Sequence, residues 1–563
     1  MKQFKPVPLL SLRRVGVGLL AATTLFSMVA CSQNTNSNTS ASSTANPNDV
    51  TLTVRGCTPQ NPLLPTDTNE TCGGNILDAS EAKLIHYNST TAAPELDIAQ
   101  SITTTDAITW DIKLKQGYKF QDGTEVKAQN FVNAWNWGAY GPNAQLNSYF
   151  FAMIKGYDDE QCTDAKCSTK PKADTMSGLK VVNDYEFTIT CSSPTSNLET
   201  RLGYTAFAPQ PDSFFADTSA NKANFTKAPI AAGPYQVTQV SDTQFTLKKF
   251  AGYSGKYPGV VGTLIFKVYT DMNTAYADVV ANNLDLDDTI PSDDLVGNLW
   301  QKDLVQADGS PRNGSATTGV IDVLSFAPAK VDPGMADIRI REALSMAIDR
   351  ASITKTVFNG ARTPATGWVS PVVDGYKAGA CGQWCTYDAA EAKQLYQAAG
   401  GYPGGTINLW INGDGGHGPW ATAVCNSIKN TLGLNCVVQT TPDFATLRDK
   451  INNRQLTGMY RGSWQMDYPS IENFLTPIYA TGASSNDTSY SNPTFDSLLK
   501  QAAAQTDPDK ANEVYQQAEA LLGKDMPTTP LWYRATQFGW SDKIKSIKMT
   551  PFSEFDFGSV VLN

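Results

Sequence analysis

The first 31 residues set the compartment in which this chain folds. Lys2, Lys5, Arg13 and Arg14 precede an apolar run that ends Leu25-Phe26-Ser27-Met28-Val29-Ala30-Cys31. A charged segment, a short apolar core and a small residue before the cut make a secretory signal. A cysteine directly after that small residue is the further mark of a lipoprotein signal, in which the Cys31 thiol carries the lipid. The plainer readings are an ordinary signal with an incidental cysteine, or a transmembrane anchor. The core from Val15 to Ala30 is short for a span, which needs about 20 residues. The expectation is a signal peptide over 1–30 and a working protein on the extracellular face of the cytoplasmic membrane, held there by lipid on Cys31. Residues 31–49 are almost all Ser, Asn, Thr and Ala, have nothing to bury, and read as a flexible tether.

Outside the cell, disulfides are the default reading of cysteine. Beyond Cys31 there are nine: Cys57, Cys72, Cys162, Cys167, Cys191, Cys381, Cys385, Cys425 and Cys436. Close spacing suggests the local pairs 57–72, 162–167, 381–385 and 425–436, with Cys191 left as a buried free thiol, although spacing alone does not fix connectivity. Zinc competes, but no Cys-x-x-Cys occurs, and the two histidines, His86 and His417, are isolated.

About 510 residues follow the tether, enough for two or three lobes. Without the signal's four cations the formal charge of −10 becomes about −14. A chain this acidic is a poor partner for nucleic acid or anionic lipid headgroups.

Patterning places mixed elements along the chain. Thr109 to Lys115 alternates as a half-buried strand does, and Tyr118-Lys119-Phe120 is expected to return beside it. A helix is expected from near Lys127, with Phe131, Val132 and Trp135 on one face. Tyr185 to Thr190, Gln236 to Thr238 and Gln244 to Leu247 read as antiparallel strands. Asp337 is placed to cap a helix that carries Ala343, Leu344, Ala347, Ile348 and Ala351. Asp388 with Glu391 opens a helix that Gly400-Gly401 ends, and Asp507-Pro508 opens another that stops at Gly523. Thr406 to Ile411 and Asn435 to Gln439 are strands between helices. The class is mixed α/β.

No motif carries reaction chemistry. There is no His-Glu-x-x-His, Gly-x-Ser-x-Gly, Walker loop or dinucleotide fingerprint. His417 sits in a Gly-rich run and reads as an exposed loop residue, while His86 reads as packed near a strand end. The expectation is no enzyme, no cofactor and no metal.

Five stretches, taken in order, resemble the family 5 extracellular solute-binding proteins, the peptide- and oligopeptide-binding lipoproteins of ABC importers. They are Trp110 to Thr124 with the Phe131 to Trp135 helix, Ala232-Gly233-Pro234-Tyr235, and Ile340 to Arg350 with Asn359-Gly360 and Pro364 behind it. Trp464-Gln465-Met466-Asp467-Tyr468-Pro469-Ser470-Ile471-Glu472-Asn473-Phe474-Leu475 follows, then Tyr490-Ser491-Asn492-Pro493 through Tyr515 to Glu519 and on to Pro530-Leu531-Trp532-Tyr533. They span nearly the whole mature chain.

The resemblance implies a two-lobed α/β binder, periplasmic-binding-protein-like (class II, cluster C type), with an extra domain on the first lobe and a hinge. Its expected layout is lobe I over 50–91, 206–320 and 528–563, the extra domain over 92–205, and lobe II over 321–527. A monomer that captures peptides for ABC permease subunits is the expected function, on a Gram-positive or actinobacterial surface. Peptide-binding members use an aspartate at the position of Asp467 to pair with the peptide α-amine; capping of a local turn is the plainer role. Trp464 is implied to line the cleft, with core packing as its alternative. Arg461 matches a family arginine that helps hold the peptide's other end, with Arg454 and Arg448 as weaker candidates and a surface ion pair as the plain reading. Tyr533 and Trp532 are placed on the floor, and Arg341 and Glu342 on the solvated or packing face of their helix. The family also handles oligosaccharides, nickel and haem. Isolated histidines disfavour nickel, and Asp467 speaks against oligosaccharide, the nearest alternative cargo.

Overall fold

In the computed structural model, residues 46–59, 61–164, 166–216, 227–413, 416–442, 444–483 and 485–563 are described. The signal peptide, Cys31 and most of the tether lie outside them. The turn Pro47–Asp49 already contacts the fold: Gly262 N donates to Pro47 O at 3.1 Å and Lys249 Nζ to Asn48 Oδ1 at 3.0 Å.

Two long antiparallel strands, Asn313–Phe326 and Thr528–Trp540, tie the two lobes together. On one side Leu286–Asp287, Thr51–Gly56, Thr263–Val268, Gln244–Lys249 and Tyr235–Val240 continue the sheet; on the other, Met459–Gln465, Thr406–Asn412 and Asn435–Thr441 do. The register of the long pair slips between Thr317 and Ile321. There Gly319 N leaves the ladder for Pro551 O, and Gly319 O takes Met466 N. A Cβ at Gly319 would sit 2.2 Å from the Met466 sulfur, so any larger residue at this crossing has to displace the Met466 side chain.

Each side of the crossing has its own core. Leu52, Val54, Leu264, Phe266 and Trp540 pack on one, and Leu324, Phe326, Ile407, Trp420 and Trp532 on the other. The opposite face of the second lobe's sheet buries Ile321, Met466 and Tyr533 under the helices Ile471–Tyr479 and Pro508–Asp525.

A four-stranded antiparallel sheet stands apart, in the order Ala99–Thr104, Thr109–Leu114, Glu186–Thr190, Leu179–Asn183. Its strand Thr109–Leu114 alternates strictly, with Trp110, Ile112 and Leu114 inward. The helix Ala128–Ala139 lays Phe131 and Trp135 on Phe187, at 5.9 and 5.6 Å between ring centroids. Fully buried aromatic side chains of this size contribute roughly 2–3 kcal/mol each.

Three expected elements differ. Tyr118 to Phe120 forms no strand, only a bridge between Lys119 and Glu125, because the Tyr118 hydroxyl turns inward to Asp97 at 2.8 Å. The helix capped by Asp337 ends at Met346, and a new one, Arg350–Val357, starts with Asp349 as its cap. The break lets the buried Arg350 guanidinium donate to Pro530 O at 2.8 Å and Ser345 O at 3.0 Å. The helix opened by Asp507 runs past Gly523 to Asp525. The four disulfides join the local pairs suggested by spacing, and Cys191 is free and buried. Among the described residues no helix is long and apolar enough to cross a membrane.

Candidate functional site

Strand Met459–Gln465 carries the motif into the space between the lobes. Beyond it Asp467-Tyr468-Pro469 leaves the sheet, proline prevents further pairing, and Ser470 caps the helix Ile471–Tyr479 by accepting Glu472 N at 3.3 Å. Asn473, in the first turn of that helix, reaches back. Its Oδ1 accepts Asp467 N and Trp464 Nε1, both at 3.0 Å, and its Nδ2 donates to Asp467 Oδ2 at 3.0 Å.

Asp467 lines a cavity of about 230 Å³ walled by four distant parts of the chain. They are Thr68 to Thr71 with Gly74 and Leu77, then Tyr204 and Thr205, Gln465 to Asp467, and Phe552 with Glu554. Among the described residues three carboxyls line it, from Glu70, Asp467 and Glu554, and no Lys or Arg does. Burial raises the Asp467 carboxyl above its ordinary range, and Glu472 adds to this, while the Asn473 hydrogen bond and Arg201 oppose it. Burial lifts Glu554 further, with Asp78 beside it contributing. Glu70 is committed locally, accepting Cys72 N at 2.7 Å and Gly73 N at 3.0 Å as a helix cap. A half-buried group of carboxyls of this kind is stabilised by a positive ligand.

Aromatic rings flank Asp467. Tyr204 stacks on Phe150 at 4.0 Å, Phe150 meets Tyr149 at 4.4 Å, and Tyr87 stacks on Phe552 at 5.1 Å. Burial, with the charge of Asp467, raises the phenols of Tyr204 and Tyr87. Sequence reasoning missed Tyr149, Tyr204, Phe552 and Asn473. The aromatic run Ser148-Tyr149-Phe150-Phe151, a short 3-10 helix, was the available signal for the first, and the quoted motif already contained Asn473; Tyr149 remains 56% exposed.

Trp464 lines a second cavity, about 280 Å³, on the same sheet face as Ile321 and Val323, with Phe444, Ile478 and Tyr479 around it. Arg448 stands at its edge in a two-pronged pair with Asp487, at 2.6 and 3.1 Å. Arg454 donates to the backbone oxygens of Asp487 and Asn486. Tyr533 is buried behind this face, accepting Thr366 N at 3.2 Å and donating to Gly367 O at 3.3 Å.

Arg461 occupies the other face, donating to Asn412 Oδ1 at 3.2 Å and lying 5.2 Å from the Phe444 ring centre. Asp322, across the same face, accepts Arg362 at 2.8 Å, Arg534 at 2.8 and 2.5 Å, and Trp532 Nε1 at 2.8 Å. Burial opposes its charge, but Arg534, Arg362 and Arg461 outweigh that and hold the carboxyl at about 2. The motif therefore brings Asp467 and Trp464 together through Asn473 and sends Arg461 to a separate cationic cluster.

His417 is half-buried rather than exposed: its Nδ1 accepts Trp420 Nε1 at 3.1 Å, and burial with the Arg461 and Arg534 charges pushes it down to about 4. His86 stacks on Tyr257 at 3.7 Å. Arg341 is a carbonyl clamp, donating to Met335 O at 2.5 Å, Asp525 O at 2.8 Å and Met526 O at 2.9 Å. Among the described residues no group of three or more His, Cys, Asp or Glu side chains could hold a metal ion.

The family model for bacterial extracellular solute-binding proteins, family 5 (middle region), matches residues 93–486. The oligopeptide-binding protein OppA of Bacillus subtilis is 25% identical over 521 residues, covering 90% of this chain and 92% of that protein. The dipeptide-binding protein of Lactococcus lactis is 25% identical over 477 residues, covering 80% and 84%. Among solved structures, the unliganded open form of the periplasmic murein tripeptide-binding protein MppA superposes with a TM-score of 0.76 at 21% identity, over 92% of this chain and 98% of that one. Listeria monocytogenes OppA bound to peptide gives 0.67 at 21% identity, over 92% and 100%.

Proposed function

Because this chain belongs to the family 5 bacterial extracellular solute-binding proteins, a family of binders and not of enzymes, we propose that it captures peptides between its lobes and hands them to an ABC permease. The observation that carries this reading is the Asp467 carboxylate, half-buried in a cavity that has no lining cation among the described residues, and flanked by aromatic rings. A peptide's α-ammonium fits there. In a water-poor cleft it forms a charge-assisted hydrogen bond with the carboxylate, and a ligand lacking that charge leaves the carboxylate unpaired.

Peptide backbone pairing gives affinity with little demand on sequence. The Trp464 cavity takes one peptide side chain, and Arg461, on its separate face, is the candidate for a longer peptide's carboxylate end. Arg454 and Tyr533 support the Trp464 cavity from its rim and from behind its floor. The lobes are those bounded at 50–91, 206–320 and 528–563, and at 321–527, with the extra domain at 92–205. The slip at Gly319 supports a hinge there. The protein works as a monomer, and lipid on Cys31 keeps it at the extracellular face of the membrane, where the permease is.

The test is calorimetric titration of the full chain in detergent with di- to octapeptides and their N-acetylated copies. Saturable binding that acetylation weakens supports the reading; binding of neither set contradicts it.

A further inference from the structure

Asp467 and Trp464 do not hold their own positions. Both end on Asn473, which is 2% exposed and supplies all three of its side-chain hydrogen bonds to these two residues. The amide can face only one way. Asp467 N–H and Trp464 Nε1–H are both donors, so Oδ1 must meet them, and the amide nitrogen is then turned onto the Asp467 carboxylate. Asp467 Oδ2 is thereby occupied, while Oδ1 accepts no hydrogen bond among the described residues.

We infer that Asn473 is a positioning residue for ligand recognition: one side-chain amide fixes the amine-binding carboxylate and the indole wall of the neighbouring cavity in a single geometry. This rests on the reading of Asp467 as the amine site. One bond to the carboxylate and a second to the same residue's backbone N–H, both from a buried side chain at the start of a helix, leave that carboxylate little rotational freedom, so the site is formed before peptide arrives. Sites held this way lose affinity when the orienting group is removed, even though the ligand never touches it. The charged groups that act on Asp467 are Arg201 and Glu472; Glu70 and Glu554 line the same cavity, as does Tyr204, and the phenols of Tyr87 and Tyr204 feel the Asp467 charge. None of them substitutes for the Asn473 amide, since Arg201 is engaged with Glu472.

The experiment uses the full chain, alanine peptides of three to six residues and their N-acetyl forms. Asn473→Ala is expected to weaken free-amine peptide binding about tenfold or more and the acetylated forms much less, so the preference for a free amine shrinks. Asn473→Asp keeps two acceptors for the N–H groups but sets a second carboxyl against Asp467. Its free-amine binding should therefore fall away at a higher pH than in the wild type, a shift that loss of packing alone does not produce. Equal loss for free and acetylated peptides in Asn473→Ala, or an unshifted pH profile in Asn473→Asp, overturns the role of Asn473. Equal binding of both peptide forms by the wild type overturns the Asp467 reading itself, and the two failures are told apart by which protein shows them.

Discussion

Arg201 and Glu472, 271 residues apart in sequence, meet at 2.9 Å between Nη2 and Oε2, joining the four-stranded unit to the second lobe. The same oxygen accepts Asn197 Nδ2 at 3.0 Å and the Tyr468 hydroxyl at 2.6 Å, and the guanidinium lies 4.8 Å from the centre of the Tyr468 ring. Glu472 is 6% exposed. Its helix begins next to Asp467, so this pair also ties the candidate site to the extra unit's wall.

Arg201→Met should cost about 3–5 kcal/mol at pH 7, because it leaves a buried carboxylate unpaired. Burial raises the Glu472 carboxyl, but Arg201 and the hydrogen bonds outweigh it, and the net position is lowered. A lowered carboxyl contributes stability above its unfolded value of about 4.3 and loses it as pH falls through the folded one. The deficit of Arg201→Met should therefore shrink below about pH 4. Urea unfolding at pH 7 and pH 3.5 measures both; a deficit that does not change with pH contradicts the assignment.

Glu81 should make the protein less stable as pH rises. Both its carboxyl oxygens are buried with no hydrogen-bond partner among the described residues, and burial, opposed by Lys83, pushes it up to about 8. The folded chain keeps a proton that the unfolded chain releases near 4.3, so stability falls between about pH 4.3 and pH 8 at up to ~1.4 kcal/mol per pH unit. Glu81→Gln should raise the melting temperature relative to wild type by more at pH 8 than at pH 5. The same shift at both pH values rules this out.

The disulfides should differ in worth by loop length. Cys57–Cys72 closes a separation of 15 residues and Cys381–Cys385 one of 4. Loop-closure entropy gives about 3 kcal/mol for the first and about 2 for the second. Replacing Cys57 and Cys72 together by Ser should lower the denaturation midpoint more than replacing Cys381 and Cys385. The reverse order contradicts the loop-entropy account.

What was legible in the sequence was local. Strict alternation gave Thr109–Leu114, an apolar stripe gave Ala128–Ala139, and short spacing gave the four disulfides. Asp467 and Trp464 were legible because a contiguous motif carries both. What was hidden depends on partners far along the chain. The helix break at Asp349 follows from a guanidinium seeking carbonyls such as Pro530 O, 180 residues away. The Asp467 cavity takes walls from near residues 70, 204 and 552, which no periodicity connects. Arg461 sits in the motif, but strand alternation turns it to the face opposite Trp464.

The central claim is that Asp467 recognises a peptide α-amine, and a two-by-two titration tests it most directly. Wild type and Asp467→Asn, an isosteric change that removes only the charge, are each titrated with pentaalanine and N-acetyl-pentaalanine. The account predicts that acetylation weakens wild-type binding at least about tenfold, as expected for a charge-assisted bond, and has little effect on Asp467→Asn. An acetylation penalty of the same size in both proteins would contradict it and move the amine site elsewhere in the cleft.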